Sequence, residues 1–365
     1  VHDWLTGMRG GEKVLEALCE LHPDADIFTL FHHRGSVSPA IERHRIETSF
    51  VQYLPLARSH YRRYLPLFPF AIEQFDLDPY DLVISSSHCA AKAVIVPGRA
   101  RHICYCHSPM RYAWGQFDAY FGPDRVGCVA SRFLYRPVLA RLARWDAATA
   151  SRVGRFVANS RHVAGRIRRY YNRDATIVYP PVDTIFYHPD STVPGNHFLI
   201  VSALVPYKRI DVAIAACRRV GARLRIVGDG PDRARLERQA DASVEFMGRL
   251  SDDDIRAEYR SALAVVMPGE EDFGIVPVEA QACGRPVVAL ARGGALETVV
   301  AGDTGVFCDD LSIGALAVAL EQARAISFDA ERIRDQALLF SRARHLDAMR
   351  NVIADTLSAP AGTTW

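Results

Sequence analysis

Short, continuously apolar runs alternate with helical patterns along the whole chain, and this alternation limits the folds open to it. In the second half the runs are Phe198-Leu199-Ile200-Val201, Leu224-Arg225-Ile226-Val227, Ser243-Val244-Glu245-Phe246, Leu263-Ala264-Val265-Val266 and Pro286-Val287-Val288-Ala289. In the first half they are Leu82-Val83-Ile84, His102-Ile103-Cys104-Tyr105 and Arg155-Phe156-Val157-Ala158. A strand that is apolar along its length, not only at alternate positions, is buried on both faces. Such strands, most of them separated by helices of ten or more residues, form parallel sheets covered on both sides. The expected fold is α/β, and 365 residues are enough for two domains of ordinary size.

The stretch from Tyr179-Pro180-Pro181-Val182-Asp183 through Pro189 to Gly195-Asn196 lies between two strand–helix series and is the best boundary. It predicts a first Rossmann-like domain over 1–180 and a second over 181–340. A helix and tail over 341–365 would pack back across the first domain. Two doubly wound domains would face a central cleft at the carboxyl ends of their strands, where ligands of α/β proteins bind. Val1 falls at the end of the first expected strand, so that strand reads as truncated. Its loss would compromise the edge or the centre of the first sheet.

The net charge of +2 conceals an asymmetry, with +8 over residues 1–180 and −6 over the remainder. A basic half points to an anionic partner: phosphate, nucleic acid or a lipid surface. Arg58-x-x-x-Arg62-Arg63 and the series Arg132, Arg136, Arg141, Arg144 alternate with Leu, Tyr, Phe and Trp. Such a surface suits anionic membrane, and it also suits a solvated helix face with arginine stems lying on apolar neighbours. The membrane reading accounts for the charge asymmetry and is preferred. It adds a peripheral place on the inner face of the membrane, with no nucleic acid as partner, to the cytoplasmic location that reduced cysteines suggest. No apolar run approaches the ~20 residues that cross a bilayer, and Val1-His2-Asp3-Trp4 shows no signal peptide. The eight cysteines are scattered singly with no CxxC pair, which favours reduced, buried thiols over zinc or disulfides.

The segment Gly269-Glu270-Glu271-Asp272-Phe273-Gly274-Ile275 follows an apolar strand and opens a helix. Gly274 permits close backbone approach, and the peptide N–H groups of Phe273, Gly274 and Ile275 favour an anion such as a diphosphate. Glu271 precedes the turn and Glu279 lies eight positions on, along the helix. Carboxylates accept paired hydrogen bonds from vicinal hydroxyls of a sugar or ribose. Two solvated glutamates would show the same spacing, which alone leaves both readings open. Asp252-Asp253-Asp254 follows Ser251 and suits a helix cap and first turn better than a metal site. Gly228-x-Gly230 is only a fragment of a dinucleotide fingerprint, so no nicotinamide cofactor is expected.

Two segments of the first half stand out. Cys104-Tyr105-Cys106-His107-Ser108-Pro109-Met110-Arg111-Tyr112 follows a buried strand, so His107 falls at the ligand edge. A lone histidine there is more often structural than catalytic. Gly7-Met8-Arg9-Gly10-Gly11-Glu12-Lys13 is a glycine-rich loop opening an amphipathic helix, and an ordinary tight turn explains it as well.

Glu271 through Val287 resembles the Glu-x7-Glu signature of the retaining family 4 glycosyltransferases, which have the GT-B fold. Ser202-Ala203-Leu204-Val205-Pro206-Tyr207-Lys208-Arg209-Ile210, Val227-Gly228-Asp229-Gly230-Pro231, Phe246-Met247-Gly248 and Gly293-Gly294-x-x-Glu297 are similar to further family segments, in family order. The resemblance implies that Glu279 holds the ribose and that Glu271, with amides from Phe273, Gly274 and Ile275, meets the donor sugar. It implies that Lys208 neutralises the diphosphate, as a point charge suits. It also puts His107 against the donor sugar, and Gly10 and Gly11 near the diphosphate. Arg9 and Arg111 become acceptor-side candidates. Where the family carries an arginine five residues before the lysine, this chain has Ala203, and Arg209 is the candidate substitute. Residues 100–112 and 202–209 resemble the mannosyltransferase-like branch.

The expected activity is therefore retaining sugar transfer, with GDP-mannose as donor and a glycan or polyprenyl-diphosphate-linked acceptor, in cell-surface polysaccharide synthesis. The resemblance implies neither metal nor other cofactor. The alternatives are a GT-B-like epimerase or phosphorylase, and a non-catalytic nucleotide-sugar-binding protein.

Overall fold

All eight apolar runs form strands, and every strand pairing is parallel. The computed structural model of the protein describes every residue but Gln116, Ala361, Gly362 and Thr364. Of Ser59, His60, Arg62, Ala119, Asp124 and Arg125 it describes the backbone only, so the Arg62 side chain of the expected basic surface lies outside the described residues. The chain divides into two compact units. One comprises Val1–Pro181 with Ala343–Trp365, the other Val182–Arg342.

The first unit carries β1 (Ile27–Thr29), β2 (Ile46–Thr48), β3 (Leu82–Ser87), β4 (Arg101–Cys106), β5 (Arg155–Ala158) and β6 (Thr176–Ile177). Strands β3 to β6 lie side by side in that order, and β1 pairs with β2. Residues 1–5 join the two sets. His2 bridges Thr29 on one side and Ser86 on the other. The His2 N–H donates to the Phe28 carbonyl and the Ser86 N–H to the Val1 carbonyl, each at 2.8 Å. The short first strand thus fills the centre of the sheet, which corrects the expectation of a compromised one. Counted along the chain, the order is the doubly wound 3-2-1-4-5-6 with one strand added, and its switch point lies between residues 1–5 and β3.

The helix Gly10–Leu21 and the last helix, Arg342–Ser358, cover one face of this sheet. Val14 and Leu18 from the first and Met349, Val352 and Ile353 from the second pack on Ile103, Tyr105 and Val157. Fully burying one such side chain is worth about 1.5–3 kcal/mol. On the helix Arg136–Ala148, Leu139 and Leu142 turn inward while Arg136, Arg141 and Arg144 face solvent.

The second unit holds β7 (His197–Val201), β8 (Arg223–Val227), β9 (Val244–Gly248), β10 (Ala264–Met267), β11 (Val287–Leu290) and β12 (Gly305–Cys308). Its order is β12-β11-β10-β7-β8-β9, again the doubly wound arrangement, with the switch point between β7 and β10. The helices joining its strands run Ile210–Arg219, Arg233–Gln239, Asp252–Ser261, Ile275–Ala282 and Ala295–Thr298, so three of the five are shorter than the ten residues expected of most of them. Ser251 caps the third, its hydroxyl accepting from the Asp254 N–H at 3.2 Å, and the three aspartates occupy the first turn. All eight cysteines are free, and all but Cys128 are buried.

Candidate functional site

In the second unit the switch point brings together the segments after β7 and β10. The chain leaves β7 through Ser202 and Ala203, makes a short turn at Pro206–Lys208, and enters the helix Ile210–Arg219. It leaves β10 through Gly269 and Glu271 and enters the helix Ile275–Ala282. Gly269 lets the two segments touch, since a Cβ there would stand 2.7 Å from the Tyr207 carbonyl oxygen. That approach carries Lys208 to Glu271, and the two side chains form an ion pair. The chain has 44 basic residues and only three lysines, so a lysine in this position stands out from an arginine background.

Gly274 is the N-cap of the helix Ile275–Ala282, at φ 85°. That left-handed conformation favours glycine. The cap leaves the first N–H groups of the helix without intrahelical partners, so they can meet an anion. The turn is braced from behind. The Gly294 N–H donates to the Glu271 carbonyl at 2.8 Å, and a Cβ at Gly294 would collide with the Phe273 backbone. Glu279 is buried, and its Oε2 accepts from the Tyr259 hydroxyl at 3.0 Å. Ala203 is exposed at the end of β7. Arg209 sits at φ 51° as N-cap of the next helix, with its Nε 3.4 Å from Asp211 Oδ1, so its charge is shared with that carboxylate.

In the first unit the equivalent edge gathers a polar cluster that sequence reasoning missed apart from His107. Asp3 is fully buried and its carboxylate accepts four backbone N–H groups. His88 and Cys89 donate to Oδ2 at 2.6 and 2.9 Å, and Ala90 and Ala91 to Oδ1 at 2.6 and 2.8 Å. His88 Nδ1 lies 3.0 Å from the same Oδ2. Burial alone would raise the Asp3 carboxyl, but His88 and the backbone donors outweigh it and hold it well below the usual carboxylate range. His107 follows β4 with Nε2 2.8 Å from Ser86 Oγ, which in turn lies 3.0 Å from His2 Nδ1. Burial, with His88 and His2 nearby, pushes the His107 imidazole well below its ordinary value, so it is neutral at pH 7.

Gly11 abuts this pair of rings, for a Cβ there would lie 3.6 Å from His2 Cε1 and 3.7 Å from His107 Nε2. Gly10 begins the helix and exposed Arg9 caps it, its N–H donating to Glu12 Oε2 at 3.1 Å. Arg111 starts the short helix Arg111–Trp114. His107, Gly10 and Gly11 are thus neighbours at one sheet edge of the first unit, while Lys208, Glu271, Glu279 and Gly274 share one edge of the second. The signal for Asp3 and His88 was faint, being two polar residues placed where a buried strand begins and another ends.

Comparison with known proteins divides the chain at nearly the same place. Residues 8–186 match the family described as Glycosyltransferase Family 4, and residues 187–338 match Glycosyl transferases group 1. Among curated relatives, an uncharacterized glycosyltransferase of Methanocaldococcus jannaschii is 27% identical over 160 residues, covering 42% of this chain and 45% of the relative. The D-inositol 3-phosphate glycosyltransferase of Mycolicibacterium smegmatis is 30% identical over 223 residues, covering 53% and 51%. The chain thus spans about half the length of the curated relatives it matches. Among solved structures, HepE of Anabaena in complex with UDP-glucose superposes with TM-score 0.70 at 18% identity, over 97% of this chain and 98% of that one. The sucrose-phosphate synthase of Thermosynechococcus elongatus gives 0.70 at 18%, over 98% and 99%. The fold is GT-B.

Proposed function

We propose that this chain, a Glycosyltransferase Family 4 half followed by a group 1 half on a GT-B fold, transfers a sugar from a nucleotide diphosphate-sugar to an acceptor hydroxyl. One observation carries the reading. At the switch point of the second sheet, Lys208 and Glu271 meet beside the amino end of the helix Ile275–Ala282. The helix N–H groups and the lysine suit a diphosphate, and the carboxylate suits sugar hydroxyls. The leaving diphosphate gathers charge in the transition state, and fixed dipoles aimed at it are often the largest catalytic term. Glu279, further along the same helix, takes the ribose.

The finer reading is retention of anomeric configuration, with the acceptor attacking from the face the nucleotide leaves. A phosphate oxygen of the leaving group then takes the acceptor's proton, and no protein base is needed. His107, neutral at pH 7, offers the donor sugar a polar contact without adding charge. Arg209 supplies part of the charge absent at Ala203, and Arg9 and Arg111 serve the acceptor side.

GDP-mannose is the first donor to test, on the sequence resemblance of residues 100–112 and 202–209. The acceptor is a glycan or a polyprenyl-diphosphate-linked sugar in cell-surface polysaccharide synthesis. A lipid-linked acceptor agrees with the exposed Val129, Phe133 and Leu134, which lie in sequence among the exposed Arg132 and Arg136. That surface would rest on an anionic bilayer. Among the described residues, no helix is long and apolar enough to cross a membrane.

The test begins with thermal shift against GDP-, UDP- and dTDP-sugars, because a ligand that binds only the native state raises its stability. Release of nucleoside diphosphate from the best of them is then followed. Glu271→Ala and Lys208→Ala should each nearly abolish release while leaving the thermal midpoint in place. Full release by either variant sinks the assignment.

A further inference from the structure

Tyr259 lies on the helix Asp252–Ser261, which precedes β10, and its side chain is fully buried. Its ring meets Tyr187 edge-on, with centroids 5.8 Å apart. Its one polar atom, the hydroxyl, donates to Glu279 Oε2 at 3.0 Å. Burial and the Glu279 charge push the phenol far above its ordinary value, so it stays a donor at every working pH. A phenylalanine would fill the same space, so packing alone does not call for the hydroxyl. A buried phenol is expected to have a partner, and here that partner is the carboxylate assigned to the nucleotide.

A carboxylate has about four lone-pair sites, and rotation about its side chain spoils any paired contact with a diol. A donor fixed on Oε2 from the neighbouring helix stops that rotation. We propose that Tyr259 is a positioning residue for the ribose: its hydroxyl locks the Glu279 carboxylate to receive the vicinal 2′- and 3′-hydroxyls. The proposal rests on the reading of Glu279 as the ribose-binding residue. Tyr259 itself touches no part of the nucleotide, and it acts only through Glu279.

The experiment is titration calorimetry of the whole chain with UDP and GDP and with their 2′,3′-dideoxy counterparts. Wild type should bind the ribo form of at least one nucleotide more tightly than its dideoxy form. Tyr259→Phe should weaken the ribo form about tenfold, the effect of one charge-assisted hydrogen bond, and change the dideoxy form less than about twofold. In a Glu279→Gln background the same change should have no further effect on the ribo form. Equal weakening of both forms, or none, overturns the proposal and leaves the donor site standing. A wild type that binds neither nucleotide removes the ribose from Glu279, and it overturns the proposed function itself if no nucleotide sugar shifts the thermal midpoint either; one that binds both forms equally also removes the ribose from Glu279. If Tyr259→Phe fails to fold, the Tyr259 hydroxyl is structural and the proposal falls with it, provided that Glu279→Gln folds.

Discussion

Replacing Asp3 with asparagine tests the claim that one buried carboxylate organises the ligand edge of the first unit. Asp3 serves five donors: the N–H groups of His88, Cys89, Ala90 and Ala91, and His88 Nδ1. Asparagine keeps one acceptor oxygen with two lone pairs and turns an NH2 toward the remaining donors. At least two buried N–H groups then lose their acceptor, at about 1–3 kcal/mol each. The contacts that survive lose their charge assistance. A cost of about 3–6 kcal/mol to the first unit follows. The perturbation is local, so hydrogen exchange is the assay. The amides of residues 88–91 should lose protection steeply in Asp3→Asn, while those of Arg223–Val227 in the other unit keep theirs. Protection at 88–91 within about tenfold of wild type, or ~1.4 kcal/mol, would refute the reasoning. The pH dependence has a fixed sign. The folded Asp3 carboxyl titrates below its unfolded value of about 3.9, so its contribution is complete above that pH and fades as pH falls toward the folded value.

Four further outcomes are expected. Burial pushes the His102 imidazole down to about 4, with Ser85 Oγ 2.8 Å from Nε2 and the Arg152 carbonyl 3.0 Å from Nδ1. The unfolded chain takes up a proton below about 6.5, so the first unit should lose ~3 kcal/mol between pH 6.5 and 4, and His102→Gln should flatten the urea midpoint over that range. Gly294→Ala drives a Cβ into the Phe273 backbone and should displace the Glu271 turn, weakening nucleotide-sugar binding at least tenfold by calorimetry. Lys92 is buried with Nζ 3.0 Å from Asp146 Oδ1, and Lys92→Ala should cost about 3–5 kcal/mol in denaturant unfolding by stranding that carboxylate. Phe133→Asp combined with Arg136→Glu should reduce sedimentation with phosphatidylglycerol vesicles while thermal stability is unchanged, and undiminished sedimentation removes that surface from the membrane reading.

Most of the eight strands were legible as apolar runs, the pattern a doubly covered parallel sheet imposes, whereas β9 is an edge strand that carries Glu245 and is only half-buried. Those the sequence hid are short or compositionally plain. β1 and β2 have three residues each, β6 has two, and β12 opens on Gly305. Residues 1–5 hid for another reason, since a strand carrying His2 and Asp3 does not look like the centre of a sheet. The donor-side candidates of the second unit lie in two contiguous segments, so local motifs reveal them. Asp3 lies more than eighty residues from Ser86 and His88 in sequence, and it works mainly on backbone amides, which leave no mark in side-chain patterns. No motif in the sequence marks Tyr259, and only the fold brings it to Glu279.

The first unit is written in two instalments, Val1–Pro181 and Ala343–Trp365, with the whole of the second unit between them. Synthesis on the ribosome therefore completes the second unit first. At about 5–20 residues per second, Met349, Val352 and Ile353 emerge roughly ten to thirty seconds after Pro181. Until then the nascent first half exposes the apolar faces of Val14, Leu18 and Ile103 that the last helix will cover. A growing chain of this design has a defined period of exposure to chaperones, and a ribosome that stalls in the second unit leaves the first one unfinished.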